Sequence, residues 1–243
     1  MREVLKRMLQ RVGLLGLVQS LKRIPRAMGW LGWDPLVPEE EFLASCDLAI
    51  ESLRAKGHEF GDYLEFGVSR GTSMACMHHA LRKAGLLGVR LIGFDSFKGL
   101  PSEASGQGWK PGEYASTISA TKRYLKKAGI DPGELHLIKG WFRDTLTPKT
   151  VTQLRLRVAS LIMVDCDIYT ASKEALWFCE PLISDRTVII FDDWGWRADV
   201  GEIGQQEAYA EFLEAFPHYT SEPLSAYMPQ ARMFLVTRTG SAD

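Results

Sequence analysis

The chain has 243 residues and is 46% apolar, so it can bury one large α/β core, and a second full domain would be cramped. Its 29 basic and 30 acidic residues leave a net charge of −1, which removes the usual electrostatic argument for binding nucleic acid. The balance is uneven, because residues 1–30 hold seven basic residues and one acid, and the remainder carries a net charge of −7.

The N-terminal segment, residues 1–29, has apolar residues at helical spacing on one face and basic residues on another. Such a helix would cover the core or a homo-oligomer interface, which we favour, or lie on an anionic membrane surface. No window approaches the ~18 uninterrupted apolar residues of a membrane span. Residues 29–38 predict a linker, and Glu39–Lys56 a cap helix. We therefore expect an N-terminal extension over residues 1–60.

From Tyr63 onward, short apolar runs alternate with helical patterns, which is typical of a doubly wound α/β sheet. The predicted strands are Tyr63–Val68, Val89–Phe94, Leu135–Ile138, Val158–Val164, Thr187–Phe191, Tyr219–Pro223 and Arg232–Thr237. The predicted helices are Thr72–Lys83, Ile118–Lys127, Pro148–Leu156, Ala171–Ile183 and Ile203–Phe216. Residues 96–117, rich in Gly, Pro and Ser, predict a lid-like loop. The expected fold of residues 61–243 is a Rossmann-like, mostly parallel seven-stranded sheet.

The four cysteines are widely spaced and form no CxxC pair, so the pattern favours neither a zinc site nor a disulfide framework. Buried, reduced thiols are the common finding for such cysteines. A cytoplasmic location fits this pattern best.

Acidic residues follow two of the predicted strands. Asp165 and Asp167 come after the fourth strand, and Asp192 and Asp193 after the fifth. Parallel strands place their carboxyl ends at one rim, so these carboxylates should converge and repel one another unless a cation, a proton or a basic partner compensates. Neither motif contains Lys or Arg, which favours Mg²⁺. Because successive side chains in a strand point in opposite directions, Asp192 and Asp193 need a sharp strand end to face one ion.

The turn after the first strand predicts a ligand site, with a plain strand-to-helix turn as the alternative. Gly67 and Gly71 let the backbone approach a ligand, and the following helix aims its free N–H groups at it. The spacing Acid-x-Gly-x-x-x-Gly, beginning at Glu65, suits S-adenosylmethionine, whose ammonium a carboxylate can help hold. Asp95 ends the second strand, where it would bind ribose hydroxyls or cap a loop. Trp141, after the third strand, would stack on adenine or pack in the core.

Together these segments resemble the macrocin O-methyltransferase family, which includes sugar methyltransferases of mycinamicin and novobiocin biosynthesis. The matching segments are Leu64-Glu65-Phe66-Gly67-Val68-x-Arg70-Gly71, Asp95-Ser96-Phe97-x-Gly99-Leu100-Pro101, Gly140-Trp141-Phe142-x-Asp144-Thr145-Leu146, Asp165-x-Asp167-Ile168-Tyr169-x-Ala171-Ser172 and Asp192-Asp193. The resemblance implies that Asp165, Asp192 and Asp193 ligate Mg²⁺ and that Asp167 is the general base. It also implies S-adenosylmethionine contacts at Glu65, Gly67, Arg70, Gly71, Thr72, Asp95 and Ser96.

The leading hypothesis is therefore an O-methyltransferase that uses S-adenosylmethionine and Mg²⁺ to methylate one hydroxyl of a vicinal diol, on a sugar of a glycoside or polysaccharide. Two neighbouring hydroxyls on Mg²⁺ would be acidified and oriented, and Asp167 would accept the proton. A catechol-type acceptor shares this chemistry. A non-catalytic membrane-binding or partner-binding protein on the same fold is the alternative from another class.

Overall fold

The structure is a computed structural model and describes residues 36–54, 58–195 and 203–240. The predicted amphipathic helix over residues 1–29 and most of the predicted linker lie outside these ranges. The end of the predicted cap helix, at Ala55 and Lys56, also lies outside them.

A seven-stranded sheet forms the centre of the molecule, in the order β3-β2-β1-β4-β5-β7-β6. The strands are β1 Asp62–Phe66, β2 Leu91–Asp95, β3 Leu135–Lys139, β4 Ala159–Val164, β5 Arg186–Phe191, β6 Tyr219–Leu224 and β7 Arg232–Arg238. The pairs among β1 to β5 are parallel, and β7 runs antiparallel to both β5 and β6. The predicted mostly parallel, doubly wound sheet is therefore confirmed.

Helices cover both faces of the sheet. They are α1 Glu39–Arg54, α2 Thr72–Lys83, α3 Ile118–Lys127, α4 Phe142–Thr145, α5 Pro148–Leu154, α6 Tyr169–Cys179 and α7 Gln205–Ala215. The short helix α4 and a 3-10 helix over Ser102–Gln107 were not predicted. The predicted helix Ala171–Ile183 begins two residues earlier and continues as a 3-10 turn over Glu180–Leu182. Pro181 explains the change, since proline has no N–H to continue the α-helical hydrogen bonds.

Two apolar layers enclose the sheet. Helices α1, α2 and α3 pack on one face, and α4 to α7 pack on the other. Every residue of β1, β4 and β5 is buried, as the continuous apolar runs predicted. All four cysteines are buried free thiols. In the described part of the chain, no helix is long and apolar enough to span a membrane.

Candidate active site

A cavity of about 470 Å³ opens at the carboxyl ends of the parallel strands. This size falls in the range of small-molecule sites. The residues after β1, β2 and β3 line one part of it, and those after β4 and β5 line another. The turn after β1, residues 67–71, is called the cofactor turn below, and the acidic strand ends are the aspartates that follow β4 and β5. Both predicted motifs contribute residues to this one cavity.

The parallel hydrogen-bond ladder brings the acidic strand ends together. The N–H of Asp165 donates to the carbonyl oxygen of Phe66 at 2.8 Å, so it continues the pairing of β4 with β1. The N–H of Asp192 donates to the carbonyl oxygen of Val164 at 3.2 Å, which continues the pairing of β5 with β4. Neighbouring parallel strands lie about 4.8 Å apart. Asp165 and Asp192 are thus side by side as a direct result of strand register.

Asp193 joins them because the chain turns at the end of β5. Its backbone N–H leaves the ladder and donates to Oε1 of Gln205 at 3.0 Å. The side chain of Gln205 also donates to the carbonyl oxygen of Val164 at 3.0 Å. Asp192 in turn accepts a hydrogen bond from the hydroxyl of Tyr227. The sharp strand end expected from the paired aspartates is present.

The three carboxylates of Asp165, Asp192 and Asp193 fit a divalent cation. One oxygen from each lies within 4.8 Å of the others. Asp193 is only 9% exposed, and its Oδ2 is buried without a hydrogen-bond partner among the described residues. Hard cations such as Mg²⁺ prefer carboxylate oxygens, and the unpartnered oxygen is what a cation would satisfy.

The raised pKa values of the three aspartates also favour a bound cation. Burial, followed by the charges of its acidic neighbours, raises the pKa of Asp165 well above its usual range. The pKa of Asp193 is also raised well above its usual range, by burial and then by Asp167 and Asp192. Burial raises the pKa of Asp192, which the hydrogen bond from Tyr227 partly offsets. A bound cation would relieve this repulsion.

Asp167 lines the same cavity but lies outside the group of three oxygens. It is the central residue of the turn closed by the N–H of Ile168, which donates to the carbonyl oxygen of Cys166 at 2.7 Å, and its φ is +64°. Burial first, then the charge of Asp192, raises the pKa of Asp167 to about 7. A carboxylate in this position can accept a proton close to neutral pH.

Four of the predicted cofactor residues line the cavity, namely Gly67, Asp95, Ser96 and Trp141. The carboxylate of Asp95 accepts hydrogen bonds from the backbone N–H groups of Ser69, at 2.6 Å, and Phe97, at 2.5 Å. The loop-capping alternative for Asp95 is therefore observed. Because each carboxylate oxygen has two lone pairs, ribose binding by Asp95 stays a compatible prediction.

The other four predicted cofactor residues, Glu65, Arg70, Gly71 and Thr72, are not part of the cavity lining. Glu65 is fully buried and accepts hydrogen bonds from Tyr63 at 2.5 Å and Ser73 at 2.8 Å. Burial raises the pKa of Glu65 to about 8. Glu65 thus ties the end of β1 to the start of α2, and its contact with a ligand ammonium stays a prediction.

The predicted lid-like loop contributes residues that sequence reasoning did not single out. Tyr114 and Glu113 line the cavity, and the ring of Tyr114, 46% exposed, packs edge-on against Trp109 at 6.0 Å between centroids. The end of the loop and the start of α3 are tied to the turn after β1, since Ser116 and Thr121 both donate to the carbonyl oxygen of Ser69, at 2.5 and 2.6 Å. The sequence signal available for these residues was the length of the loop.

Comparison with known proteins identifies the family. The family model described as "Macrocin-O-methyltransferase (TylF)" matches residues 41–214, which is most of the chain. The chain belongs to the macrocin O-methyltransferase family. The predicted resemblance is thereby confirmed.

A curated relative from Streptomyces olivaceus is 28% identical over 161 residues and is named 8-demethyl-8-(2,3-dimethoxy-alpha-L-rhamnosyl)-tetracenomycin-C 4'-O-methyltransferase. The match covers 63% of this chain and 59% of the relative, so it spans little more than half of that protein.

Two solved structures share the fold. The O-methyltransferase NovP is 20% identical, with a TM-score of 0.66, and the match covers 82% of this chain and 80% of NovP. The apo structure of CalS11, described as a TDP-rhamnose 3'-O-methyltransferase of calicheamicin biosynthesis, is 21% identical, with a TM-score of 0.59, and the match covers 82% and 79% of the two chains.

Proposed function

We propose that this protein is an O-methyltransferase that uses S-adenosylmethionine and Mg²⁺ to methylate one hydroxyl of a vicinal diol on a sugar. The observation that carries the proposal is the triad of Asp165, Asp192 and Asp193, whose oxygens lie within 4.8 Å of one another in the cavity that the cofactor turn also lines. Membership of a family of O-methyltransferases supports the reaction type.

Each group has a distinct role in this proposal. Asp165, Asp192 and Asp193 would hold Mg²⁺. When bound, the ion supplies Lewis-acid polarisation that lowers the pKa of a coordinated sugar hydroxyl. Asp167 lines the same cavity and would accept the proton of that hydroxyl, with its own pKa already raised towards neutrality by burial. The new C–O bond would form as the S–CH₃ bond of the sulfonium breaks, with S-adenosylhomocysteine as the leaving product.

The cofactor side of the cavity would hold the methyl donor. Asp95 ends β2 and Ser96 follows it, next to the backbone of Gly67, and Trp141 follows β3. This arrangement suits a ribose near Asp95 and an adenine near Trp141. The acidic strand ends of β4 and β5, which line the same cavity, would then receive the acceptor.

The charge of the cavity favours an uncharged acceptor. Among the described lining residues, eight are acidic and one, Arg143, is basic. A single divalent cation would not neutralise this excess, and like-charge contacts at a binding site are costly. We therefore infer that the acceptor is an uncharged glycoside in preference to a nucleoside diphosphate sugar. The relative from Streptomyces olivaceus is named for a rhamnosyl-tetracenomycin acceptor. A catechol-type diol is the second candidate, because the metal chemistry is shared.

Calorimetry and a methylation assay together test the proposal. We expect S-adenosylhomocysteine to bind with or without Mg²⁺, because the two sets of lining residues are separate. A neutral rhamnoside incubated with S-adenosylmethionine and Mg²⁺ should gain one methyl group by mass spectrometry, and EDTA should abolish the gain. Full turnover in EDTA would exclude the metal role, and absence of S-adenosylhomocysteine binding would overturn the methyltransferase assignment.

A cytoplasmic location is part of the same proposal and is supported by the four free cysteines. Homo-oligomerisation and membrane contact through residues 1–29 stay predictions.

A further inference from the structure

Two buried side chains from the last 40 residues of the chain form hydrogen bonds with Asp192 and Asp193, the two aspartates that follow β5. Tyr227, 6% exposed, donates its hydroxyl to Oδ1 of Asp192. Gln205, fully buried, binds the backbone N–H of Asp193. Neither Tyr227 nor Gln205 is part of the cavity lining, so neither is placed to touch the acceptor or the methyl donor.

The side-chain amide of Gln205 takes the place of a backbone peptide unit in the hydrogen bonding at the end of β4 and β5. Its amide has both a donor and an acceptor, like a peptide unit. The donor reaches the carbonyl oxygen of Val164 and the acceptor takes the N–H of Asp193, each at 3.0 Å. The amide therefore bridges the end of β4 to the residue beyond β5. This bridge allows the chain to turn without leaving a buried N–H unpaired, and the turn is what directs Asp193 towards Asp165.

Tyr227 acts on the carboxylate itself. It lies between β6 and β7, and its ring packs edge-on against Phe42 of α1, with 4.7 Å between centroids and an interplanar angle of 88°. The ring is thereby held on one side by the core, and its hydroxyl fixes the plane of the Asp192 carboxylate. The direction of Oδ2 is then set before any ion binds.

We propose that Tyr227 and Gln205 are positioning residues that preorganise Asp192 and Asp193 for a divalent cation. The inference rests on the metal role assigned to these aspartates in the proposed function. Partners of this kind commonly tune metal affinity 10- to 100-fold without contacting the metal.

Tyr227→Phe tests the positioning role of Tyr227. The probe is Mn²⁺, whose binding is measured by electron paramagnetic resonance and calorimetry. We expect Mn²⁺ to bind about 10-fold more weakly or worse, with S-adenosylhomocysteine affinity within about twofold of wild type. Tyr209→Phe is the matched control, because Tyr209 is also buried and its hydroxyl bonds Ser221 at 2.7 Å, outside the cavity lining. It should lose the same kind of hydrogen bond without loss of Mn²⁺ affinity.

Gln205→Met tests the positioning role of Gln205, because methionine keeps the length of the side chain and removes both hydrogen bonds. The matched control is Gln206→Met at the exposed neighbouring position. We expect Gln205→Met to weaken Mn²⁺ binding about 10-fold or more and to alter the Mn²⁺ resonance line shape, while Gln206→Met matches wild type.

The outcomes separate this inference from the proposed function. A wild-type protein that binds no Mn²⁺ would overturn the metal site, and this inference with it. Wild-type binding that Tyr227→Phe and Gln205→Met leave unchanged would overturn this inference alone. If a variant fails to fold, the other variant decides. Equal loss of Mn²⁺ and S-adenosylhomocysteine affinity would indicate a general structural role and also overturn it.

Discussion

At the scale of single residues, the site separates carboxylates by environment. One carboxylate oxygen from each of Asp165, Asp192 and Asp193 lies within 4.8 Å of the others. Asp167 lines the same cavity but is outside this group. Three carboxylates with oxygens this close together suit a cation, and a neighbouring carboxylate outside the group is available to take a proton. The same residue type thus serves two purposes because the backbone presents the side chains differently.

Asp167→Asn tests the proton-accepting role. Asparagine keeps the shape of the side chain but cannot accept the proton, so turnover should fall by a factor of 10² to 10⁴. Because Asp167 lies outside the group of three, Mn²⁺ and S-adenosylhomocysteine affinity should stay within a fewfold of wild type. Steady-state kinetics and calorimetry check both. Turnover close to wild type would exclude Asp167 as the base.

Asp193→Asn tests the repulsion among the carboxylates. Raised pKa values mean that the folded state binds protons more tightly than the unfolded chain, so stability is greatest below the ordinary aspartate pKa and falls as pH rises through the raised values. At neutral pH, Asp193→Asn should therefore raise the metal-free melting temperature, by roughly 2–4 °C for each kcal/mol relieved.

Differential scanning calorimetry with and without Mg²⁺ provides the measurement for Asp193→Asn. Wild type should gain stability on adding Mg²⁺, and Asp193→Asn should gain much less. A variant that is less stable than wild type without metal, and equally stabilised by Mg²⁺, would contradict the arrangement described here.

At the scale of secondary-structure elements, the end of β1 supports both halves of the cavity. Gly67 has a φ of +97°, and a Cβ built on it would lie 1.6 Å from the carbonyl oxygen of Asp165. The cofactor turn and the first ligand strand end are therefore in backbone contact. A side chain at Gly67 would displace one or the other.

Gly67→Ala should cost about 1–2 kcal/mol from the positive φ alone, and more from the collision with Asp165. Gly85→Ala is the control, because Gly85 also has a positive φ, +73°, but no atom of the described residues lies within 4 Å of its Cβ position. Chemical denaturation and Mn²⁺ titration should show a loss of both stability and metal affinity for Gly67→Ala. Equal effects of the two substitutions would show that the contact with Asp165 is unimportant.

At the scale of the whole molecule, α1 is connected to the site through the core. Phe42 is fully buried and packs against Tyr227, which bonds Asp192. The sequence placed this helix in an N-terminal extension, and that division into residues 1–60 and 61–243 stays a prediction. The packing nevertheless gives α1 a route by which to influence the proposed metal site.

Phe42→Leu should destabilise the fold by about 1–2 kcal/mol and weaken Mn²⁺ binding severalfold, because the Tyr227 ring loses its support. Phe178→Leu offers a comparison, since Phe178 is buried in the apolar layer on the opposite face and makes edge contacts with Phe66 and Phe94. It should cost similar stability without weakening Mn²⁺ binding. The same Mn²⁺ affinity in both variants would argue against the route through Tyr227.

Most of the fold was predictable because its signals are local. Apolar runs such as Leu161–Val164 read as buried strands, and Thr72–Lys83 and Ile118–Lys127 were predicted with the observed ends. The convergence of Asp165 and Asp192 was predictable too, since it follows from strand order and direction alone. The helix α4 escaped prediction because four residues are too short for a periodic pattern.

The supporting contacts of the site were not predictable, since they join residues far apart in the chain. Nothing near Tyr227 or Gln205 marks them as neighbours of Asp192 and Asp193, 35 and 12 residues away. Glu65 is a different case, because its partners are close in the chain: its acidic side chain predicted a ligand contact, but its hydrogen bonds run to Tyr63 and Ser73 inside the core. Residue types and spacing suffice to specify strands and their acidic ends, whereas the partners of buried polar groups depend on which distant segments the packed core brings within hydrogen-bonding distance.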